Sequence, residues 1–233
     1  MYYNTFMETG LEELWKNLSL TSDEQQDVII KKKWIKETVQ ARKNCLLGRM
    51  VINRAVNMEA MKGVLQKIWK LSSGMVIKEV GERYYVFHFE DTMEKDMVLL
   101  RQPWSFNKSL LVLQEFDGMA SLEEVNMNWC PFWIQIHGLP LGLMTEKIGI
   151  VIGESIGEVL KVDFMNDQLA WGKWMRVRVN MNITLPIKRG KMITVEDGKK
   201  VLALFRYEKF SDFCHVCGKL DHQDIDCGMS VSL

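Results

Sequence analysis

MVIKEVGERYYVFHFE, residues 75–90, contains two β-rich runs, Met75–Val80 and Arg83–Phe89, meeting around Gly81 in the pattern of a hairpin. Alternation along the second run puts Tyr84, Val86 and His88 on one face and Tyr85, Phe87 and Phe89 on the other. Upstream, Asn57 to Leu71 has helical spacing, with Met58, Met61, Val64, Leu65, Ile68 and Trp69 marking one apolar face. A candidate strand, Leu46–Ile52, precedes it. Downstream, Thr92–Arg101 reads as a helix capped by Thr92, with Met93, Met97, Val98 and Leu100 as its apolar positions. Pro103 blocks its continuation, and Leu110–Phe116 is a further strand. Residues 45–117 thus run β-α-β-β-α-β, the order of a ferredoxin-like split βαβ unit, a topology shared by RNA-recognition modules. One sheet face must meet the helices. The other could stack bases or cover a neighbouring segment; poor interleaving of Lys and Arg with the aromatics favours packing.

A polar link, 117–128, leads to a second mixed α+β segment, 129–209. Phe132–His137 is a strand broken by Gly138-Leu-Pro140, and Thr145–Ile156 is a helix with Ile148, Val151 and Ile152 inward. Glu158–Phe164 is another strand, and Trp174–Ile183 alternates, with Arg176 and Arg178 on one face. Lys191–Val195 and Lys200–Tyr207 pair around Asp197-Gly198, a strong turn signal. No internal repeat is evident beyond a coarse β-α-β order in both halves. At the other end, residues 1–44 read as a helical segment. Leu11, Leu14, Trp15 and Leu18 recur at helical spacing, Thr21–Glu24 resembles a helix start, and Lys31–Lys33 is a basic run. That run reads as a solvated face, with a nuclear address or phosphate contact as the alternative.

The 233 residues are 47% hydrophobic, enough to bury a core without help from a metal. Thirty Lys plus Arg balance thirty Asp plus Glu, so no global basic field draws the chain to nucleic acid, and any such binding must be local. No signal peptide or run of roughly 20 apolar residues is present, which points to an intracellular protein, nuclear or cytoplasmic with the nucleus favoured. No membrane partner and no small-molecule substrate are expected.

Three of the five cysteines fall in FCHVCGKLDHQDIDC, residues 213–227, in the spacing Cys-x2-Cys-x4-His-x4-Cys. Zinc takes four tetrahedral thiolate or imidazole ligands, and Cys214, Cys217, His222 and Cys227 would fill its shell with no open position. The expectation is one structural Zn2+. The segment is too short for a core of its own, so metal binding would supply its folding energy. A redox pair would instead open a helix of a thioredoxin-like unit, whereas this cluster lies in a polar tail. Cys45 and Cys130 sit in or beside apolar stretches and read as plain buried thiols.

Such knuckles recur in single-strand nucleic-acid modules. This one resembles the knuckle of retroviral and retrotransposon coat proteins. Those carry an aromatic just after the first Cys and a Gly just before the His; here His215 and Asp221 stand there, and Asp221, Asp224 and Asp226 oppose only Lys219. Stacking would rest on His215, Val216 or Ile225. EELWKNLSLT at 12–21, WIQIHGLP at 133–140, IGESIGEVLKVD at 152–163 and RYEKFSDFCHVCGKLDH at 206–222 add to the resemblance. Together they are similar to a plant family that joins an N-terminal domain of unknown function to a C-terminal CCHC knuckle and is thought to derive from non-LTR (LINE-type) retrotransposons. The resemblance implies zinc and nucleic-acid binding, and supplies no reaction or partner.

Beside the knuckle, Lys188, Arg189, Lys191, Lys199, Lys200, Arg206 and Lys209 crowd the last hairpin, where they would neutralise phosphates or protect a sheet edge. In GIVIGESIG, residues 149–157, glycines recur every fourth residue, which suits close helix packing and matches no nucleotide-binding fingerprint. His137 beside Gly138 reads as a satisfied turn residue. No HExxH, GxSxG or kinase signature occurs, and no enzyme activity is expected. The leading expectation is a non-catalytic, zinc-dependent binder of single-stranded RNA or DNA. The rival is a protein-interaction or self-association module in which zinc only stiffens the knuckle. A third possibility is the binding segment of a longer element-encoded enzyme.

Overall fold

The computed structural model describes residues 19, 21–52, 56–116, 118–163, 172–195 and 198–229. The chain divides into two compact units, Met1–Thr38 and Val39–Leu233. In the first, the Thr21 amide donates to Glu24 Oε2 at 2.7 Å and the Glu24 amide to Thr21 Oγ1 at 3.4 Å, the reciprocal contacts of a capping box. They close a turn and start no helix; helix α1 begins only at Lys32 (Lys32–Ala41). The positions Leu11, Leu14, Trp15 and Leu18 lie outside the described residues. Among the described residues, no helix is long and apolar enough to cross a membrane.

In the second unit the described strands form two antiparallel sheets. The first contains β1 (Cys45–Met50), β2 (Met75–Gly81), β3 (Tyr84–Phe89), β4 (Trp104–Phe106) and β5 (Ser109–Glu115), in the order β2-β3-β1-β5-β4. Helices α2 (Met58–Trp69) and α3 (Thr92–Leu100) connect it. With β4 set aside as an edge hairpin, this is the split βαβ order the sequence predicts. The second sheet holds β6 (Trp129–His137), β7 (Glu158–Asp163), β8 (Trp174–Asn182), β9 (Gly190–Thr194) and β10 (Lys200–Tyr207), in the order β7-β8-β6-β10-β9. Helix α4 (Glu146–Glu154) joins β6 to β7.

The two orders are the same strand for strand. The second half repeats the first, including the short strand that precedes the last one, but residues 183–189 replace the second helix. This corrects the expectation that the halves share only a coarse β-α-β order. The repeat lies in pairing order, which leaves side chains free to differ.

The faces follow the alternation. Tyr85, Phe87 and Phe89 join Met61, Leu65 and Trp69 of α2 and Val98 of α3 in one apolar cluster, with Trp69 packed edge-on to Phe87 at 5.6 Å between ring centroids. Tyr84 and Val86, on the other face, pack against a second cluster that also contains Leu47, Val112, Phe132 and Val177. The face that could have stacked bases is therefore occupied, and the link covers part of it: Leu122 and Val125 pack there and the Met127 carbonyl accepts from Arg49 at 2.8 Å. His88 is exposed.

The helix readings shift at one cap and on several faces. Asp91, not Thr92, caps α3, its carboxylate accepting from the Met93 amide at 2.6 Å. Met93, Met97 and Leu100 are exposed, as are Val64 and Ile68 of α2 and Val151 of α4, and α3 buries Val98 and Lys95. Lys95 tolerates burial because its ammonium meets Asp96 and Glu115, each at 3.1 Å. In α4, a Cβ on Gly149 would lie 2.6 Å from Met175 Sδ, and one on Gly153 2.6 Å from Val159 Cγ2. Gly157 lies past the helix end, yet its Cβ would meet the Asn180 carbonyl at 2.3 Å. The glycine spacing thus serves packing of helix and turn against the second sheet. Cys45 and Cys130 are buried thiols, both pushed up in pKa by desolvation.

Candidate metal centre and nucleic-acid interface

After β10 the chain turns tightly. The Cys214 amide donates to the Lys219 carbonyl at 2.8 Å, and the Gly218 amide donates back to the Cys214 carbonyl at 2.7 Å. Gly218 has φ +77°, a left-handed conformation that glycine adopts without a Cβ penalty. This turn presents Cys214 and Cys217 together. A single 3-10 turn, Asp224–Asp226, then delivers Cys227, and Asp224 Oδ1 accepts from the His215 amide at 2.6 Å, tying the two halves of the loop.

One ligand atom from each of Cys214, Cys217, His222 and Cys227 lies within 4.8 Å of the others. A tetrahedral zinc with Zn–S bonds of about 2.3 Å would set sulfurs roughly 3.8 Å apart, so the cluster fits with small closure. Desolvation works against ionising Cys214, but N–H donors from Cys217 and Val216 outweigh it and hold the thiol below its ordinary value. Cys227 is pulled down by the Met229 amide, yet burial and the neighbouring Cys214 and Cys217 leave it raised. Three thiolates so close together would repel, and a divalent cation would relieve them. The donor set is that of one structural zinc ion, with three sulfurs and an imidazole filling the shell.

Asp221, which stands where the coat-protein knuckles carry Gly, sits beside the metal ligand. Its Oδ1 is 2.6 Å from His222 Nδ1, and His222 Nε2 is 3.2 Å from Cys217 Sγ. The Asp221 carboxylate is also the main reason the His222 pKa is raised. A carboxylate behind a ligating imidazole is a common feature of zinc sites, and an Asp directly before the His was the available signal.

The knuckle is not the loose polar tail the sequence suggests. Cys214 is buried, Leu220 is 1% exposed within the cluster of the second sheet, and the Ile187 amide donates to the Gly218 carbonyl at 2.9 Å. Phe210 and Phe213 bridge the knuckle to Phe132 through ring contacts of 5.4 and 5.6 Å. Residues 183–189, which hold the knuckle through Ile187, stand in the strand order where the first half has its second helix.

Of the residues expected to contact nucleic acid, His215 is exposed with its ring 4.6 Å from Phe213, Ile225 is 90% exposed, and Val216 and Lys219 are half-buried. The basic residues do not make one patch. Lys188 and Arg189 are exposed beside Ile187, next to the knuckle, and Lys188 donates to the Ser155 carbonyl. Lys191 pairs with Ala203 and Lys200 with Thr194 on the hairpin; Lys199 lies in its turn. Arg206 pairs with Gln135 on the outer face of the second sheet. Lys209 points elsewhere: its Nζ donates to the Arg101 carbonyl at 3.2 Å and lies 4.6 Å from the Trp104 ring centroid.

That outer face was missed as a site, although the sequence places Arg176 and Arg178 on one side of their strand. Trp133, Gln135 and His137 of β6 pair with Arg178, Arg176 and Trp174 of β8. Arg176 lies 4.0 Å from the Trp133 ring centroid, donates to both oxygens of Glu208 at 2.9 and 2.7 Å, and reaches Asp163 at 2.8 Å. His137 contacts Gln135 at 3.1 Å and packs on Trp174 at 5.2 Å; desolvation lowers its pKa. It is a satisfied residue at a strand end, as its place beside Gly138 suggests.

Two stretches of the chain match models of known families. Residues 38–124 match the model of a domain of unknown function (DUF4283), which covers the first sheet and its helices. Residues 181–229 match the model of a zinc knuckle, taking in the segment 183–189 on which the knuckle rests. An uncharacterized protein of Arabidopsis thaliana is 26% identical over 136 residues, 58% of this chain and 43% of that protein, so the chain spans less than half of its relative's length. Among solved structures, an Sxl-lethal protein/RNA complex is similar over 70% of this chain and 98% of its own, at 11% identity and a TM-score of 0.28, too low to bear on fold or function.

Proposed function

We propose that the chain is a zinc-dependent binder of single-stranded RNA or DNA that catalyses no reaction itself. The observation that carries this reading is the convergence of Cys214, Cys217, His222 and Cys227 in a closed four-ligand shell. Zinc knuckles are recurrent modules for unpaired strands, and exposed His215 and Ile225, with Lys188 and Arg189 beside the knuckle, offer stacking and phosphate contacts. Sequence preference would be modest, because stacking and phosphate contacts discriminate poorly between bases. The blocks that resemble the plant family support descent from a LINE-type retrotransposon, and the basic run Lys31–Lys33 would suit an address to the nucleus.

One observation favours a second reading. The knuckle is anchored through Leu220 and Ile187, and its rim carries Asp221, Asp224 and Asp226, which suits a protein-interaction module with zinc as a stiffener. Binding of a labelled single-stranded oligonucleotide across a salt series, for wild type and Cys227→Ser, separates the two. The first reading expects salt-sensitive binding that the substitution abolishes. No binding by the zinc-loaded wild type would overturn it in favour of the second.

A further inference from the structure

A cavity of about 280 Å³ opens where the end of α3 meets the outer face of the second sheet, lined by Arg101, Trp133, Arg176, Arg178, Glu208 and Lys209 among others. Four of these side chains are cations and one is an anion. Both oxygens of Glu208 are engaged by Arg176, which Asp163 also reaches at 2.8 Å, so these two carboxylates are spent on Arg176 and leave Arg101, Arg178 and Lys209 in excess. Arg178 donates to the Leu100 carbonyl and Lys209 to that of Arg101, the open end of α3. Each such bond uses one donor, while a guanidinium has five and an ammonium three. Positive charge therefore accumulates here with donors to spare. Desolvation, followed by the charges of Arg101 and Arg178, holds the Lys209 ammonium below its ordinary pKa.

We propose that this cavity binds a backbone phosphate of a single-stranded nucleic acid, whose neighbouring bases stack along the same sheet face. The proposal rests on the nucleic-acid reading above and adds a second contact region apart from the knuckle. An anion is the partner that cancels the excess charge, and a phosphodiester accepts from several donors at once. The floor suits what flanks a phosphate. Trp133 lies under Arg176 and Arg178 at 4.0 and 5.7 Å, and farther along β8 on the same face Trp174, 40% exposed, packs on His137. An exposed indole offers a base its stacking partner, whereas Asp and Glu side chains have no ring to lay on it. The corresponding face of the first sheet is covered, so the second sheet alone presents this arrangement among the described residues.

The test uses the full chain loaded with zinc and a fluorescent oligouridylate, titrated across salt, for wild type, Arg178→Gln/Lys209→Gln, the charge-retaining pair Arg178→Lys/Lys209→Arg, and a control pair, Lys67→Gln/Lys147→Gln. Zinc content and thermal midpoint are measured for each. The neutralised pair should bind roughly tenfold or more weakly, with a salt slope shallower by about 1.4, from two lost contacts at about 0.7 each on a single strand. The charge-retaining pair and the control should keep the wild-type slope. Wild-type behaviour in the neutralised pair would overturn the cavity while leaving the knuckle reading intact. Equal loss in the neutralised and charge-retaining pairs would reduce both residues to props for α3. A wild type that does not bind would remove the nucleic-acid reading itself, and displacement of the oligouridylate by poly-glutamate at equal charge would assign the cavity to an acidic peptide.

Discussion

Asp221 Oδ1 lies 2.6 Å from His222 Nδ1, and this contact fixes the imidazole so that Nε2, 3.2 Å from Cys217 Sγ, carries the lone pair for the metal. Partners behind a zinc ligand set its orientation and basicity, and losing one commonly weakens metal binding about 10–100-fold. Asp221→Ala should lower zinc affinity by that amount in competition with a chromophoric chelator. The far-ultraviolet circular dichroism of the two sheets should be unchanged. Affinity within twofold of wild type would show that the ring is held by its ligand bond alone.

Zinc also stabilises more than its own loop. Leu220 is 1% exposed in the cluster that contains Phe132 and Val177, so the knuckle contributes a side chain to the core of the second sheet. Leu220→Ala should cost about 2–5 kcal/mol in urea unfolding, the usual range for a buried Leu. Chelating the zinc should lower the thermal midpoint of the whole second unit. A midpoint indifferent to chelation would mean that the knuckle hangs free.

How much of this was legible in the sequence depends on which interaction carried it. The ligand set is local: four side chains at fixed spacing specify a metal shell wherever the loop lies, and Cys214 to Cys227 come together as read. The first sheet is legible because each strand and helix has its own period. Burial of Lys95 in place of Met93 was not legible, since it depends on Asp96 and on Glu115 two elements away. The repeat of strand order was hidden for a related reason, as pairing between distant strands leaves no fixed residue behind. Lys209 was grouped with the hairpin by proximity in sequence, but its φ of 50° turns the chain and its amine ends at Arg101.

The Arg176–Glu208 pair gives the second sheet a pH dependence of known sign. Hydrogen bonds from Arg176 hold the Glu208 carboxyl below its ordinary value, so the pair stabilises the fold at and above that value. The stabilisation is lost as pH falls through the lowered pKa and the carboxylate protonates. With side chains 34% and 27% exposed, screening limits the pair to about 1 kcal/mol. Glu208→Gln should therefore be less stable than wild type by about that much at neutral pH, and the gap should close below about pH 4. A gap that widens on acidification would place the cause elsewhere.

Two glycines in helices should respond with opposite sign to the same substitution. Gly63 lies within α2, and a Cβ there would meet nothing within 4 Å. Gly63→Ala removes the entropic penalty of glycine in a helix and should stabilise the protein by about 0.5–1 kcal/mol. Gly153 lies in α4 against the second sheet, where a Cβ would come within 2.6 Å of Val159 Cγ2 and 3.1 Å of Val177 Cγ1. Both neighbours are β-branched and stiff, so helix and sheet must separate, and Gly153→Ala should cost about 1–3 kcal/mol despite the same gain in helix propensity. Chemical denaturation of the two variants decides the matter. Stabilisation by both would mean that the α4 glycines are helix residues like any other and that the four-residue spacing is not what seats the helix.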